Sequence, residues 1–158
     1  MKNHLRFVSI AILAFWMLVS LIGTAVSAEA IDFTLKDING GSVSLSSYKG
    51  KVPVLLLFWT TWCPYCRSAL KELNNMQMEN KGTRVEVLAI DVGEPQSAVS
   101  RLAKNLGLQL QVLLDSDNTV ADNYQVIGVP TYILLDKNGE VVFRGNSFPK
   151  NYQELVCK

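Results

Sequence analysis

Cys63 and Cys66 stand with two residues between them in the run Trp62-Cys63-Pro64-Tyr65-Cys66. That spacing suits reversible dithiol–disulfide exchange, a structural disulfide, or half of a zinc site. A Cys-x-x-Cys disulfide closes too small a loop to restrain the unfolded chain much, so it makes a poor staple. A structural zinc site of this kind needs a second Cys-x-x-Cys or histidines, and besides the pair the chain has one further cysteine, Cys157, and one histidine, His4. Dithiol chemistry is therefore the expected role. The two sulfurs would do unequal work. Cys63 falls at the start of an expected helix, where unsatisfied N–H groups and the helix dipole favour an anion. Its thiol pKa is lowered there, which makes it the nucleophile. Cys66 follows one turn later and is less exposed, as suits the residue that resolves a mixed disulfide. Pro64 and Tyr65, between them, help set the redox potential.

Elements must place that pair. Pro53 to Trp59 is a continuous apolar run, which suits a strand buried on both faces. A helix is expected from Pro64 to about Asn80, since proline at the first helical position forfeits no hydrogen bond. Gly82 ends it. Arg84–Ile90 reads as a second central strand, 95–106 as a helix stopped by Gly107, and Leu110–Leu114 as a strand. Thr119–Tyr124 is a short helix after the turn cluster Asp115-Ser116-Asp117-Asn118. Thr131–Leu135 and Glu140–Arg144 form a hairpin around Asp136-Lys137-Asn138-Gly139, and Lys150–Val156 is a final helix. Upstream, Phe33–Lys36 and Val43–Leu45 are short extended stretches about a turn at Asn39-Gly40-Gly41. The order predicts an α/β fold with a mixed central sheet flanked by helices.

The first 28 residues differ in kind. Lys2, His4 and Arg6 are followed by an uncharged stretch from Phe7 to Ala28, with small residues at Val26-Ser27-Ala28. This reads as a signal peptide or a membrane anchor over 1–28, with one domain over 29–158. Either way the domain is expected outside the cytoplasm, in the periplasm or at the outer face of the cytoplasmic membrane. Cleavage would remove the sole histidine, His4, leaving no Cys–His pair for papain-like catalysis. The whole sequence carries 15 basic and 14 acidic residues and no basic run, so nothing points to nucleic acid. A metal site is not expected, and neither is a cofactor beyond the Cys63–Cys66 disulfide itself.

Phe58-Trp59-Thr60-Thr61-Trp62-Cys63-Pro64-Tyr65-Cys66 together with Gly128-Val129-Pro130-Thr131 resembles a thioredoxin-fold protein. Leu45-Ser46 through Lys49-Gly50-Lys51, Asp91-Val92-Gly93-Glu94 and Tyr132-Ile133-Leu134-Leu135-Asp136-Lys137-Asn138-Gly139 narrow the resemblance to the TlpA/ResA/CcmG branch of extracytoplasmic thiol–disulfide oxidoreductases. It covers about residues 31–156. It implies a thioredoxin fold with an N-terminal hairpin and an inserted helix–strand, for which residues 95–124 fit. It implies a cis Pro130 packed against the cysteines, with the Val129 backbone open to an extended client segment. Client protein thiols and disulfides become the partners, with a membrane thiol–disulfide electron donor to restore the dithiol. Cytochrome c maturation is one role of the branch, and a monomer is expected.

The chain departs from that pattern in its acids. Thioredoxins keep a buried Asp where this chain has Leu57, and the ResA- and CcmG-like proteins often have a Glu where it has Ala69. Glu72 is expected to be solvated, and Glu94, following a strand end, is the better candidate for proton transfer. Trp62 is either docking surface or packing. Cys157 is a thiol, an intermolecular link or a partly buried small residue. Two other functions compete. A thiol peroxidase would use Thr60 and Cys63 as Thr-x-x-Cys, although the proline of that motif is Leu56 here. A Cu(I)-binding chaperone would use the two cysteines as soft ligands.

Overall fold

The computed structural model describes residues 29–79 and 85–157. The leader expected over 1–28, the helix stop at Gly82 and the strand start at Arg84 lie outside the described residues. Among the described residues no helix is long and apolar enough to cross a membrane.

The run after Pro53 forms strand β3, Val54–Trp59, and every one of its residues is buried. β4, Glu86–Val92, pairs with it in parallel, and β6, Thr131–Leu135, pairs with it antiparallel on the other side. A strand held on both edges and covered on both faces has no use for polar side chains, hence the unbroken apolar sequence. Alternate residues feed two cores. Leu55, Leu57 and Trp59 pack with Cys66, Leu70 and Leu73 on one face, while Leu56 and Phe58 pack with Val120 and Tyr124 on the other. Each such buried leucine stabilises the fold by about 1.5–3 kcal/mol.

Helix α1, Pro64–Glu79, follows β3. Cys66, Ala69, Leu70 and Leu73 recur at helical spacing and make its buried stripe. After β4, helix α2 runs over Gln96–Leu106 and stops at Gly107, whose φ of 63° lets its N–H reach back to the last carbonyls. β5, Gln111–Asp115, returns parallel to β4, and α3, Thr119–Asn123, follows. These are the inserted elements expected over 95–124. The β1–β2 hairpin, Thr34–Asp37 with Ser42–Ser44, is N-terminal and pairs its first strand antiparallel with β5. β7, Val141–Gly145, pairs antiparallel with β6, giving one mixed sheet in the order β2-β1-β5-β4-β3-β6-β7. Helix α4, Tyr152–Val156, docks through buried Val156, and Phe148 bridges the rings of Tyr152 and Tyr132.

Boundaries differ from the sequence reading by one or two residues. β4 runs on to Val92 rather than stopping at Ile90, which carries Asp91 inside a buried strand. Leu45 opens a single 3-10 turn rather than ending β2. Cys157 is exposed one position past α4, which removes the partly buried alternative.

Candidate active site

β3 ends at Trp59, the chain turns through Thr60-Thr61-Trp62, and α1 begins one residue after Cys63. Cys63 and Cys66 are joined by a disulfide with their Cα atoms 5.3 Å apart. Cys66 is fully buried and Cys63 nearly so. The backbone N–H of Cys66, one of the orphan donors of the first helical turn, points at Cys63 Sγ from 3.1 Å. When the disulfide opens, that donor and the helix dipole stabilise a thiolate at Cys63 over a thiol.

The second wall comes from the loop between α3 and β6. The Val129–Pro130 peptide is cis, and the Val129 carbonyl oxygen lies 3.8 Å from Cys63 Sγ. β7 braces this loop. Arg144 donates from its two terminal nitrogens to the carbonyls of Tyr124 and Gln125, each at 2.6 Å. Asn146 donates to the Pro130 carbonyl at 2.9 Å, and the Thr131 hydroxyl donates to Gly128 at 2.6 Å. Tyr124 in turn donates its hydroxyl to the carbonyl of Ile31. A cavity of about 140 Å³ opens beside the loop, lined among others by Ile127, Gly128 and Thr131.

Of the residues singled out in the sequence, Cys63, Cys66, Val129 and Pro130 converge. Pro64 opens α1 and is exposed. Trp62 and Tyr65 are 69% and 79% exposed, which excludes packing as the reason for Trp62. Ile127 is wholly exposed on the loop that carries Val129. Large apolar side chains left in water around a reactive pair are the mark of a docking rim. Glu72 is solvated on α1, and no acid stands at positions 57 or 69, where Leu57 and Ala69 are core.

The acids gather elsewhere. Glu94 is half-buried, and its carboxylate accepts bonds from both the backbone N–H and the hydroxyl of Thr61, two residues before Cys63. Arg67 holds the same residue from the other side, its guanidinium donating to the Thr61 carbonyl at 3.1 and 2.8 Å. The loop into Cys63 is thus clamped by an anion and a cation. Burial pushes the Glu94 carboxyl up, but the Thr61 bonds outweigh it and hold the group below the usual carboxylate range. Three residues earlier, Asp91 is fully buried and its carboxyl is pushed up to about 8, first by burial and then by the neighbouring Glu94 carboxylate. Gly93 makes the turn between them. Its φ of 75° brings the Glu94 N–H back to Asp91 Oδ1 at 3.3 Å.

Sequence reasoning missed Asp91, Arg144 and Asn146. Asp91 did carry a signal: an acid inside Val87-Leu88-Ala89-Ile90-Asp91-Val92, an apolar strand, is one of the residue types almost never buried without a reason. Arg144 carried none, because its partners are backbone carbonyls distant in sequence.

A mixed sheet with a Cys-x-x-Cys pair at the junction of a buried strand and a helix, facing a cis proline, defines a thioredoxin-fold thiol–disulfide oxidoreductase. Residues 26–144 match the AhpC/TSA family, and the chain belongs to it. Among its relatives, the thiol-disulfide oxidoreductase ResA of Geobacillus kaustophilus is 41% identical over 117 residues, covering 74% of this chain and 67% of that one. StoA from Bacillus subtilis superposes with a TM-score of 0.67 at 26% identity, covering 84% of this chain and 98% of that one. The pneumococcal exposed lipoprotein thioredoxin of Streptococcus pneumoniae strain TIGR4 does so with 0.67 at 27% identity, covering 79% and 96%. The enzyme is a thiol–disulfide oxidoreductase of the ResA type.

Proposed function

We propose that the protein reduces disulfides of client proteins outside the cytoplasm, with Cys63 as nucleophile and Cys66 as resolving thiol. The observation that carries this is the Cys66 N–H aimed at Cys63 Sγ beside the Val129 carbonyl. One sulfur is prepared to be an anion, and an open backbone edge lies next to it for an extended client segment. The Cys63 thiolate attacks a client disulfide, forming one new S–S bond while the old one breaks and a client thiolate departs. Cys66 loses its proton and attacks Cys63 Sγ. The second client sulfur leaves reduced, and the dithiol has been oxidised by two electrons. A membrane thiol–disulfide donor restores it. Trp62, Tyr65 and Ile127 form the docking rim, and Pro64 and Tyr65 tune the potential.

The extracytoplasmic setting rests on the charged start and uncharged stretch of residues 1–28, and on the likeness to an exposed lipoprotein thioredoxin. Apocytochrome c, a protein with paired heme-attachment thiols, is the narrower client proposed from the resemblance.

The test is reduction of insulin disulfides by the full chain with dithiothreitol as donor. The protein should hasten insulin precipitation, and Cys63→Ser should abolish the effect. Cys66→Ala should stall with the client held on Cys63. A protein inert towards insulin that consumed hydrogen peroxide rapidly would overturn the reading in favour of a thiol peroxidase. One that was inert towards both and bound Cu(I) tightly would be a chaperone. Resistance of an oxidised apocytochrome c peptide, with insulin still reduced, would remove that client alone.

A further inference from the structure

Three buried polar atoms without a hydrogen-bond partner cluster at the C-terminal ends of β3 and β4: Trp59 Nε1, Thr60 Oγ1 and Asp91 Oδ2. A buried polar group left without a partner is costly, so such groups call for a reason. Asp91 is register-paired with Trp59. Alternation along β4 puts Asp91 on the face of Val87 and Ala89, and these pack in the same core as Trp59, Cys63 and Cys66. A carboxyl whose Oδ2 meets no donor, and whose protonated form is bonded to the Glu94 carboxylate, thus stands on the side of the sheet that holds the resolving cysteine.

The chemistry of that cysteine needs a proton partner. When a donor thiolate attacks Cys63 Sγ, the Cys63–Cys66 bond breaks and Cys66 is expelled as a thiolate. Cys66 is fully buried, and an anion there is costly until it takes up a proton. In the reverse step Cys66 must lose its proton before it can attack. Water is poorly placed to exchange that proton. No carboxylate stands at positions 57 or 69 to do so.

We infer that Asp91 is the buried proton reservoir for Cys66, giving a proton when the disulfide opens and taking it back when it closes. The inference rests on the reading of Cys66 as the resolving thiol. In the disulfide state Asp91 is pushed up to about 8, so it carries its proton near neutral pH and is ready to give it. Its charged surroundings are sparse. Glu94 lies at the end of the turn after β4, and Asp115 sits at the end of neighbouring β5. β3 presents uncharged Trp59, and α1 presents the cysteines, its Arg67 being engaged by Thr61. Arg101 and Lys104 of α2 are exposed. Both neighbouring acids are of like charge, so they favour the protonated form of Asp91 and keep the reservoir filled.

The test follows the two steps separately. Reduced full chain is mixed with oxidised glutathione, quenched with acid, and weighed by mass spectrometry. Formation of the Cys63–glutathione adduct reports attack, and its decay to the intramolecular disulfide reports closure. In Asp91→Asn, which keeps the side-chain shape, attack should match wild type. Closure should slow most around pH 8, by about a hundredfold, where Asp91 is partly ionised and can take the Cys66 proton, and approach wild type near pH 6, where Asp91 already holds its own proton. Asp91→Glu should restore part of the rate. Closure in Asp91→Asn with the wild-type rate and pH profile would overturn the inference. So would equal slowing of both steps, which marks a merely structural role. Failure of the underlying reading shows itself differently, as wild-type protein that does not reduce insulin.

Discussion

Trp59 and Asp91 occupy paired positions at the ends of the parallel strands β3 and β4, both fully buried, yet the Trp59 indole N–H does not bond to the Asp91 carboxyl. Trp59 offers only a donor, and protonated Asp91 turns its second oxygen into a donor towards Glu94, so the pair does not close on itself. The site therefore keeps an ionisable group in a low-dielectric setting without a compensating cation, and this has consequences that can be measured.

The first concerns stability against pH. In the unfolded chain Asp91 titrates near its ordinary value of 3.8, and in the fold at about 8. Between those values the native state holds a proton that the unfolded chain has released, so stability falls as pH rises. The contribution is full below about 4 and gone once the pH passes the folded value. Asp91→Asn removes this slope. Burial also raises Asp115, but that residue is present in both proteins and drops out of the difference. Denaturant midpoints measured from pH 5 to 8 should decline more steeply in wild type than in Asp91→Asn. Parallel curves would refute an elevated Asp91.

A second prediction separates the causes of that elevation. Burial comes first and the Glu94 carboxylate second. Glu94→Gln removes the like charge and leaves burial in place. The Asp91 midpoint should then fall below wild type while staying above the ordinary carboxylate range. Carboxyl carbon chemical shifts followed through a titration read this directly, and an unmoved midpoint would mean that Glu94 has no electrical hold on Asp91.

The strands and helices around the cysteines were legible because their patterns are local. Val54–Phe58 is too apolar to be anything but buried, Pro64 marks a helix start, and Gly107 a helix stop. The unequal placement of Cys63 and Cys66 followed from the same helix start. The acid was half legible: positions 57 and 69 and Glu94 beyond the strand end drew the eye, while Asp91, three residues before Glu94, stood out only as part of the run Asp91-Val92-Gly93-Glu94. Asp91 reaches the same core from the adjacent strand, a matter of parallel register that no local pattern announces. Arg144 and Asn146 were invisible for a related reason. Their partners are carbonyls of the cis-proline loop, and every residue carries a carbonyl.

That loop gives the third prediction. Arg144 spans the Tyr124 and Gln125 carbonyls with two planar donors, a geometry lysine cannot reproduce. Arg144→Lys should lose about 1–2 kcal/mol, less than a buried pair would, since the side chain is largely exposed. Turnover of insulin should fall as well, because Val129 loses its brace, while the alkylation rate of Cys63 should stay near wild type. A stable variant with full turnover would show that the brace is redundant.

The last prediction concerns the rim. Trp62 and Tyr65 are 69% and 79% exposed, so neither contributes much to folding. Truncating such residues usually changes stability by no more than about 0.5 kcal/mol. Aromatic side chains that pass from water into a protein contact, by contrast, often dominate its energy. Trp62→Ala should leave the denaturant midpoint in place and raise the KM for insulin several-fold, with kcat little changed, because client binding is lost before chemistry begins. Oxidised glutathione is too small to span the rim and should react with the variant as with wild type. The contrast between the two substrates is the decisive measurement. Equal loss towards both would place Trp62 in the chemistry of Cys63 itself, and no loss towards either would show that clients dock elsewhere.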